Sequence, residues 1–534
     1  MGADYEQFIL ILKLKLTLDD RNGKSSSGKS DNALLKQSIT QILIGIFFAL
    51  LLNIIKSPFT FYYFAHTFVM LMMAMMIISE FTTILFDTSE NAIIQPLPVK
   101  GNTISLARNA HVFVYLALTA FNLSLLSIIV AIIKFGIASG LIFVFTIILN
   151  VMFTLFLANI LYLGIMHLAT GEKLKNLLMY FQIAVAILFM AGYQVGMRIV
   201  DTSAIQNITV PIHWFTFLIP PAFFSGFVDG LTSLNFDQPH LVFIIEALFV
   251  PLVAIYFTGR YLTPEFSHKL MDLEQGERNP GVKTEGSGGR LWYRLMSLLF
   301  VFNAEERASF RLMWKMIGRE RLFKQTLFPA YGYILILIVL PFFTRTVSMN
   351  SLAQTDRYLF LLYAFLLIAA TLPAALLTGN NQHAAWIFKS IPLQSPAVIF
   401  KGCIKAAFAR FFVPLYLAVS SAVCSIWGIK VLPDVFIAFT SIYLFTLLFH
   451  YFQRPSFPFA LEKSALNGGD GFIRMLMIIA VAVAFGFLHK FLLHWYSFTN
   501  LLLIPFNICA ILYVNRVMVY RRITWKAVDR VNTY

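Results

Sequence analysis

The residues in this chain that could do chemistry are few and scattered. Its ten histidines make no H-E-x-x-H pair, no clustered metal-ligand spacing is present, and no G-x-S-x-G nucleophile elbow occurs. Histidines beside apolar runs, such as His66 and His450, read as hydrogen-bonded packing groups. Gly23, Gly28, Lys29 and Ser30 match the phosphate-binding pattern G-x-x-x-x-G-K-[ST]. That pattern works only when a buried strand delivers the loop, a helix follows it, and a neighbouring acid holds magnesium. An apolar run begins a few residues after the match, leaving no room for a sheet. The stretch 21–31 therefore reads as a Gly/Ser-rich linker. Two acids, Glu80 and Glu246, fall inside apolar stretches, where an ionisable group is costly and functional by default. A proton- or sodium-driven relay needs more such groups than these two. Asn150 and Asn159, with Asn122 and Asn507, read as intramembrane polar groups bonding between helices. The three cysteines, Cys403, Cys424 and Cys509, lack C-x-x-C spacing, so neither a disulfide framework nor a zinc site is implied.

Composition explains the scarcity. Only 13% of residues are charged and 59% are hydrophobic, against roughly 25% charged in a soluble domain. Such a chain cannot cover its own surface with polar groups. The aromatic share of 16%, mostly Phe, suits lipid-facing helices and the aromatic belts at their ends. The net charge of +15 is a matter of placement: in a membrane protein excess Lys and Arg mark the cytoplasmic side. No nucleic-acid partner is expected. Met1 to Leu18 carries acids early and no cleavage site, so no signal peptide is expected there.

Taken in order, the chain predicts an all-α polytopic membrane protein of about twelve spans. Tyr5–Leu18 alternates enough to suit a strand, but Lys13 and Lys15 beside the apolar run favour a helix lying on the inner leaflet. Spans are expected at 39–55, 59–86, 112–133, 137–165, 177–197 and 241–257. The loop 87–111 is too polar to cross and has Pro96, Pro98 and Gly101 as punctuation; Thr103–Asn109 predicts a short helix. Residues 198–240, aromatic and nearly uncharged, with Trp214 and Pro220-Pro221, predict a half-inserted outer segment. A basic hinge, 259–326, separates this first half (1–258) from a second (327–534). Within it, Arg290–Lys324 predicts a basic amphipathic helix on an anionic leaflet. Further spans are expected at 327–343, 358–377, 406–429, 435–452, 472–488 and 501–519. Of the 41 Lys and Arg residues, only Lys56, Lys134, Arg198, Arg345, Arg357, Lys430 and Lys490 fall in the opposite loops. Both termini are therefore expected in the cytoplasm of a multi-pass inner-membrane protein. Six spans per half make the halves parallel repeats about an axis along the membrane normal.

Each half carries a polar loop centred on a proline. In the first, Asp87 and Glu90 precede Leu97-Pro98-Val99, Lys100 follows, and Arg108 stands near the next span. In the second, Ile391-Pro392-Leu393 precedes Lys401, with Gln394 in place of the basic residue. On these loops, the amphipathic segment before each first span and the Pro220-Pro221 pair, the chain resembles a type-2 permease of bacterial ATP-binding-cassette exporters. The resemblance implies one fused chain supplying the whole translocation pathway, without catalytic residues, cofactor or metal of its own. A separate cytoplasmic ATPase, a dimer of cassette subunits binding ATP and Mg, would dock beneath it. The loops at 87–111 and 381–405 would transmit its closure to the spans, and the cargo would be lipophilic or amphipathic. Three other readings stay open on the residues alone: an ion-coupled secondary transporter, an integral-membrane enzyme, and a membrane sensor of antimicrobial peptides.

Overall fold

The computed structural model describes residues 4–22, 33–84, 99, 101–168, 173, 176–177, 179–188, 191, 209–262, 287–343, 355–379, 386–390, 393, 395–453, 456–461, 470–495, 499–519 and 523–531. Among them all regular structure is helical, apart from one isolated bridge between Thr378 and Leu461. The loop residues 87–98 and 100, the hinge 263–286, the Gly/Ser-rich 23–30 and Ile391-Pro392 lie outside the described residues. The chain divides into two compact units: Met1–Lys24 with Ser30–Val185 and Arg198–Gly281, and Ser25–Lys29 with Ala186–Met197 and Val282–Tyr534.

The first unit opens with α1 (Tyr5–Asn22). Asp4 decides helix over strand: its Oδ1 accepts from the backbone N–H of Glu6 at 3.1 Å, as an N-cap does. Ile11 and Lys15, one turn apart, are buried. Next come α2 (Ala33–Leu52), α3 (Pro58–Ile84), α4 (Gly101–Phe135) and α5 (Ile137–Leu168). The expected short helix at Thr103–Asn109 is the opening of α4. Nothing between Asn102 and Phe135 breaks a helix, and Gly136, at φ 95°, ends it. At 35 residues, α4 reaches ~52 Å, well past a hydrocarbon core of ~30 Å. After α6 (Met179–Leu188), a 3₁₀ turn at Trp214–Leu218 leads into α7 (Pro220–Ser233) and then α8 (Gln238–Phe257). Pro220-Pro221 occupies the first turn of α7, where a missing N–H costs nothing. Phe223, Phe224 and Phe227 bury that helix. Gly226 lets the ring of Phe243 on α8 lie against the α7 backbone.

The second unit contains α9 (Ser287–Phe300), α10 (Ala304–Arg319) and α11 (Arg321–Phe343). The basic segment expected as one amphipathic stretch is thus two helices, and Glu320, extended at ψ 119°, breaks it from α11. Next are α12 (Arg357–Tyr363) and α13 (Leu366–Leu377), then α14 (Ala397–Ala407), a π turn at Phe408–Phe412 and α15 (Val413–Trp427) as one rod. Pro414 accounts for the π turn, since it has no N–H for the Arg410 carbonyl and its ring crowds that oxygen. The widened turn stacks Phe408 on Phe412, with ring centroids 4.2 Å apart. α16 (Leu432–Phe452), α17 (Asp470–Trp495), α18 (Thr499–Tyr513) and α19 (Trp525–Val531) complete the unit.

Among the described residues seven helical stretches are long and apolar enough to cross a membrane: Pro58–Ile77, Leu106–Phe135, Ile137–Ile165, Gln238–Leu262, Arg357–Leu377, Ala397–Trp427 and Ile429–Phe452. Shorter apolar helices lie at Gln37–Leu52, Met179–Leu188, Val483–Leu493 and Asn500–Arg516.

Candidate functional site

The junction of α10 with α14 is a buried polar site of the second unit. α10 turns Phe310, Met313, Trp314 and Ile317 inward, at helical spacing, and all four are buried. Gly402 on α14 makes the approach possible, since a Cβ there would sit 2.6 Å from the Ser309 Cβ and 2.8 Å from the Phe310 nitrogen. Glu306, buried at the start of α10, holds Lys405 of α14 at 2.6 Å. The same ammonium donates to the Phe300 carbonyl at 2.8 Å, the negative end of α9. Lys401, one turn back and only 9% exposed, feels both charges. Farther along, the π turn aims Arg410 at α10. Its guanidinium lies over the Trp314 ring, 5.3 Å from the centroid, and donates to the Trp314 carbonyl. Lys405 and Arg410 of the 397–412 stretch therefore grip α9 and α10. Such an arrangement does no covalent chemistry. It carries displacement, because a buried ion pair and a close backbone contact resist sliding.

The other expected site residues are placed as follows. Arg108 is half-buried on the early turns of α4. Asp87, Glu90, Leu97, Pro98, Lys100, Ile391 and Pro392 lie outside the described residues. Glu80 is on α3. Glu246, on α8, is half-buried, and its Oε2 has no hydrogen-bond partner among the described residues. Asn150 is wholly buried and donates to the His66 carbonyl at 3.2 Å, and Thr154 donates to its Oδ1 at 3.1 Å. With Thr146 beside the His66 ring at 3.1 Å, this is a satisfied network joining α3 to α5. Asn159 bonds its own helix, at the Leu155 carbonyl. Trp214 is 78% exposed, Pro220 half-buried and Pro221 buried. Near them Asp229 of α7 faces His240 of α8 at 3.6 Å. Burial pushes the Asp229 carboxyl above the usual carboxylate range, and His240 opposes that.

A second polar cluster joins α12, α16, α17 and α18. Asp434 is buried and accepts from Tyr358 at 2.7 Å and from Asn500 at 2.8 Å. His489, 3% exposed, presents Nε2 to Asp434 at 3.8 Å while Nδ1 contacts the Tyr363 hydroxyl at 3.1 Å. Deeper in the unit Asn507 donates to Ser441 at 2.8 Å and to Thr440 at 3.2 Å.

Sequence reasoning passed over Glu306, Lys405, Arg410, Asp434 and His489. For the first pair a signal existed: a lone acid pair opening a basic helix, and Lys401 with Lys405 one turn apart on an apolar one. Asp434 and His489 lie near span ends, where polar residues are ordinary. No protein-family model, curated protein or solved structure matches the chain.

Proposed function

We propose that this chain is the membrane-spanning permease of an ATP-driven exporter, of the type-2 cassette class, working with a separate cytoplasmic ATPase in two copies. In this reading twelve helices cross the inner membrane in two parallel six-span halves, with both termini, the hinge and both proline loops in the cytoplasm. The halves are 1–258 and 327–534, joined by the hinge at 259–326. The observation that carries the reading is the α10–α14 junction. The helix beginning four residues after Leu393, within the second proline loop, is clamped by Lys405–Glu306, and the π turn that follows it by Arg410–Trp314, to the amphipathic helix ahead of the second half. A force applied to that loop would pass directly to α10 and to the 397–427 rod. The seven long apolar helices supply the membrane setting, and the charge bias supplies the orientation. ATP and Mg would belong to the partner, and the cargo would be lipophilic or amphipathic. The test is at the first loop. Leu97→Asp with Pro98→Ala should leave membrane insertion normal and uncouple ATP hydrolysis from transport; coupling unchanged in that variant sinks the assignment.

One observation favours a second reading, an ion-coupled secondary transporter. The Asp434–His489 cluster and the half-buried Glu246 are ionisable groups of the kind such proteins use. Transport that persists without ATP and collapses in Asp434→Asn would select it.

A further inference from the structure

The second proline loop is held at Phe388 and at Leu393, and the two holds are built differently. At Phe388 the hold comes from residues 456–461, which run beside the end of α13. Phe459 donates its N–H to the Leu376 carbonyl at 2.8 Å, Leu461 to that of Leu377 at 2.9 Å, and Gly379 donates back to the Leu461 carbonyl at 3.2 Å. Gly379 makes this approach possible, since a Cβ there would meet the Phe459 Cβ at 2.5 Å. Phe459 sits at φ 60°, a left-handed conformation that such a side chain keeps only where its surroundings fix it. This frame sets Phe457 against Phe388 and Phe400, near-parallel to both, with ring centroids 5.6 and 6.2 Å away. All three rings are buried.

At Leu393 the hold comes from α19, seven residues long. Thr524 caps it, accepting from the Ala527 N–H at 3.3 Å. Ile523 and Val528 are buried, Trp525 is half-buried, and Thr524 and Lys526 are exposed. The Trp525 indole N–H donates to the Leu393 carbonyl at 3.3 Å, and its ring centroid lies 6.3 Å from that of Phe457. A helix of about two turns is unstable alone in water, so α19 keeps its form only while seated.

We propose that α19 is a releasable latch on the second proline loop. Seated, it holds Leu393 while Phe457 holds Phe388. Released, it unfolds and leaves the loop pinned at Phe388 alone. The difference in construction selects α19 as the part that lets go. Backbone hydrogen bonds and a fitted glycine fix 456–461, whereas α19 reaches the loop through one indole. Under the permease reading, release would let the second loop answer to the ATPase; that consequence rests on the reading, and the latch itself does not.

Hydrogen exchange of the full chain in nanodiscs, resolved to single amides by mass spectrometry, tests the latch without reference to ATP or cargo. In the unaltered chain the Ala527 and Val528 amides should exchange at least about tenfold faster than those of Phe459 and Leu461, because a latch opens without the core around it. Equal rates overturn the proposal, since α19 would then open only with the whole unit. A second measurement follows alkylation of Leu393→Cys, with Cys403→Ala, Cys424→Ala and Cys509→Ala. Adding Trp525→Ala should speed that alkylation at least about fivefold while Phe459 and Leu461 stay protected. An unchanged rate overturns the proposal, and so does acceleration accompanied by lost protection at Phe459 and Leu461, which would make α19 part of the core. Should these variants fail to fold, the comparison of amides in the unaltered chain still decides.

Discussion

At the scale of single residues, Glu306 and Lys405 carry the largest electrostatic stakes. Their side chains are about a tenth exposed and 2.6 Å apart, so neither can regain water if the other is lost. Glu306→Gln should destabilise the folded chain by about 3–5 kcal/mol, because it strands a buried ammonium. Replacing both, with Glu306→Leu and Lys405→Met, should recover most of that loss, since an apolar pair leaves no charge unpaired. Thermal unfolding in one detergent, read as a double-mutant cycle, checks both outcomes. Asp229 offers a pH test. Burial raises its carboxyl above the ordinary range, so the folded state favours the neutral acid. Its contribution is full below the unfolded value, near ~3.9, and is lost as pH rises through the higher native value. Asp229→Asn should therefore raise Tm at neutral pH and give no gain near the unfolded value; a constant gain at both would show that ionisation is not the cause. Sequence spacing identified Asn150 as an intramembrane polar group, and the structure supplies its partners, His66 and Thr154. It could not single out Glu306, because the pair forms between residues about a hundred positions apart.

At the scale of elements, the π turn and the glycine contact set how α10 meets the rod. Gly402→Ala should cost about 1–3 kcal/mol, the ordinary penalty for overpacking, because the added methyl meets the Phe310 backbone rather than a side chain that can turn away. The observable is a lowered Tm together with weaker protection of the 304–319 amides from hydrogen exchange; an unchanged Tm would mean that the two helices can part at no cost. Arg307, Arg311, Lys315 and Arg319, exposed and four residues apart on α10, bear on that helix itself. Like charges four residues apart destabilise a helix by about 0.2–0.5 kcal/mol per pair. Arg311→Glu, which turns two repulsive pairs into attractive ones, should raise Tm slightly in neutral detergent. Helix positions were legible in the sequence because long apolar runs leave few alternatives, and all the expected span segments contain helix among their described residues. Lys13 and Lys15 beside the apolar run favour a helix over a strand at Tyr5–Leu18, and α1 is that helix. Two features were not legible. The full length of α4 was hidden by the polarity of its first turns, which periodicity cannot tell from a separate short helix. The break at Glu320 comes two residues after Gly318, and a lone glycine inside a helical pattern is too weak a signal to place it.

At the scale of the whole molecule, the chain forms two compact units, helical among the described residues, with seven helices there long and apolar enough to span a membrane. Composition made the membrane class legible, since 13% charged residues cannot cover a soluble surface of this size. The functional reading rests on a division of labour. In the proposed topology the Glu306–Lys405 junction lies beside a cytoplasmic proline loop. Energy would then enter from a partner. The direct measurement is affinity purification of the intact chain from its native membrane, followed by mass spectrometry of what is retained. The account predicts a stoichiometric cytoplasmic ATPase bearing a phosphate-binding loop. A chain that purifies alone and still moves solute across liposomes without ATP would contradict it.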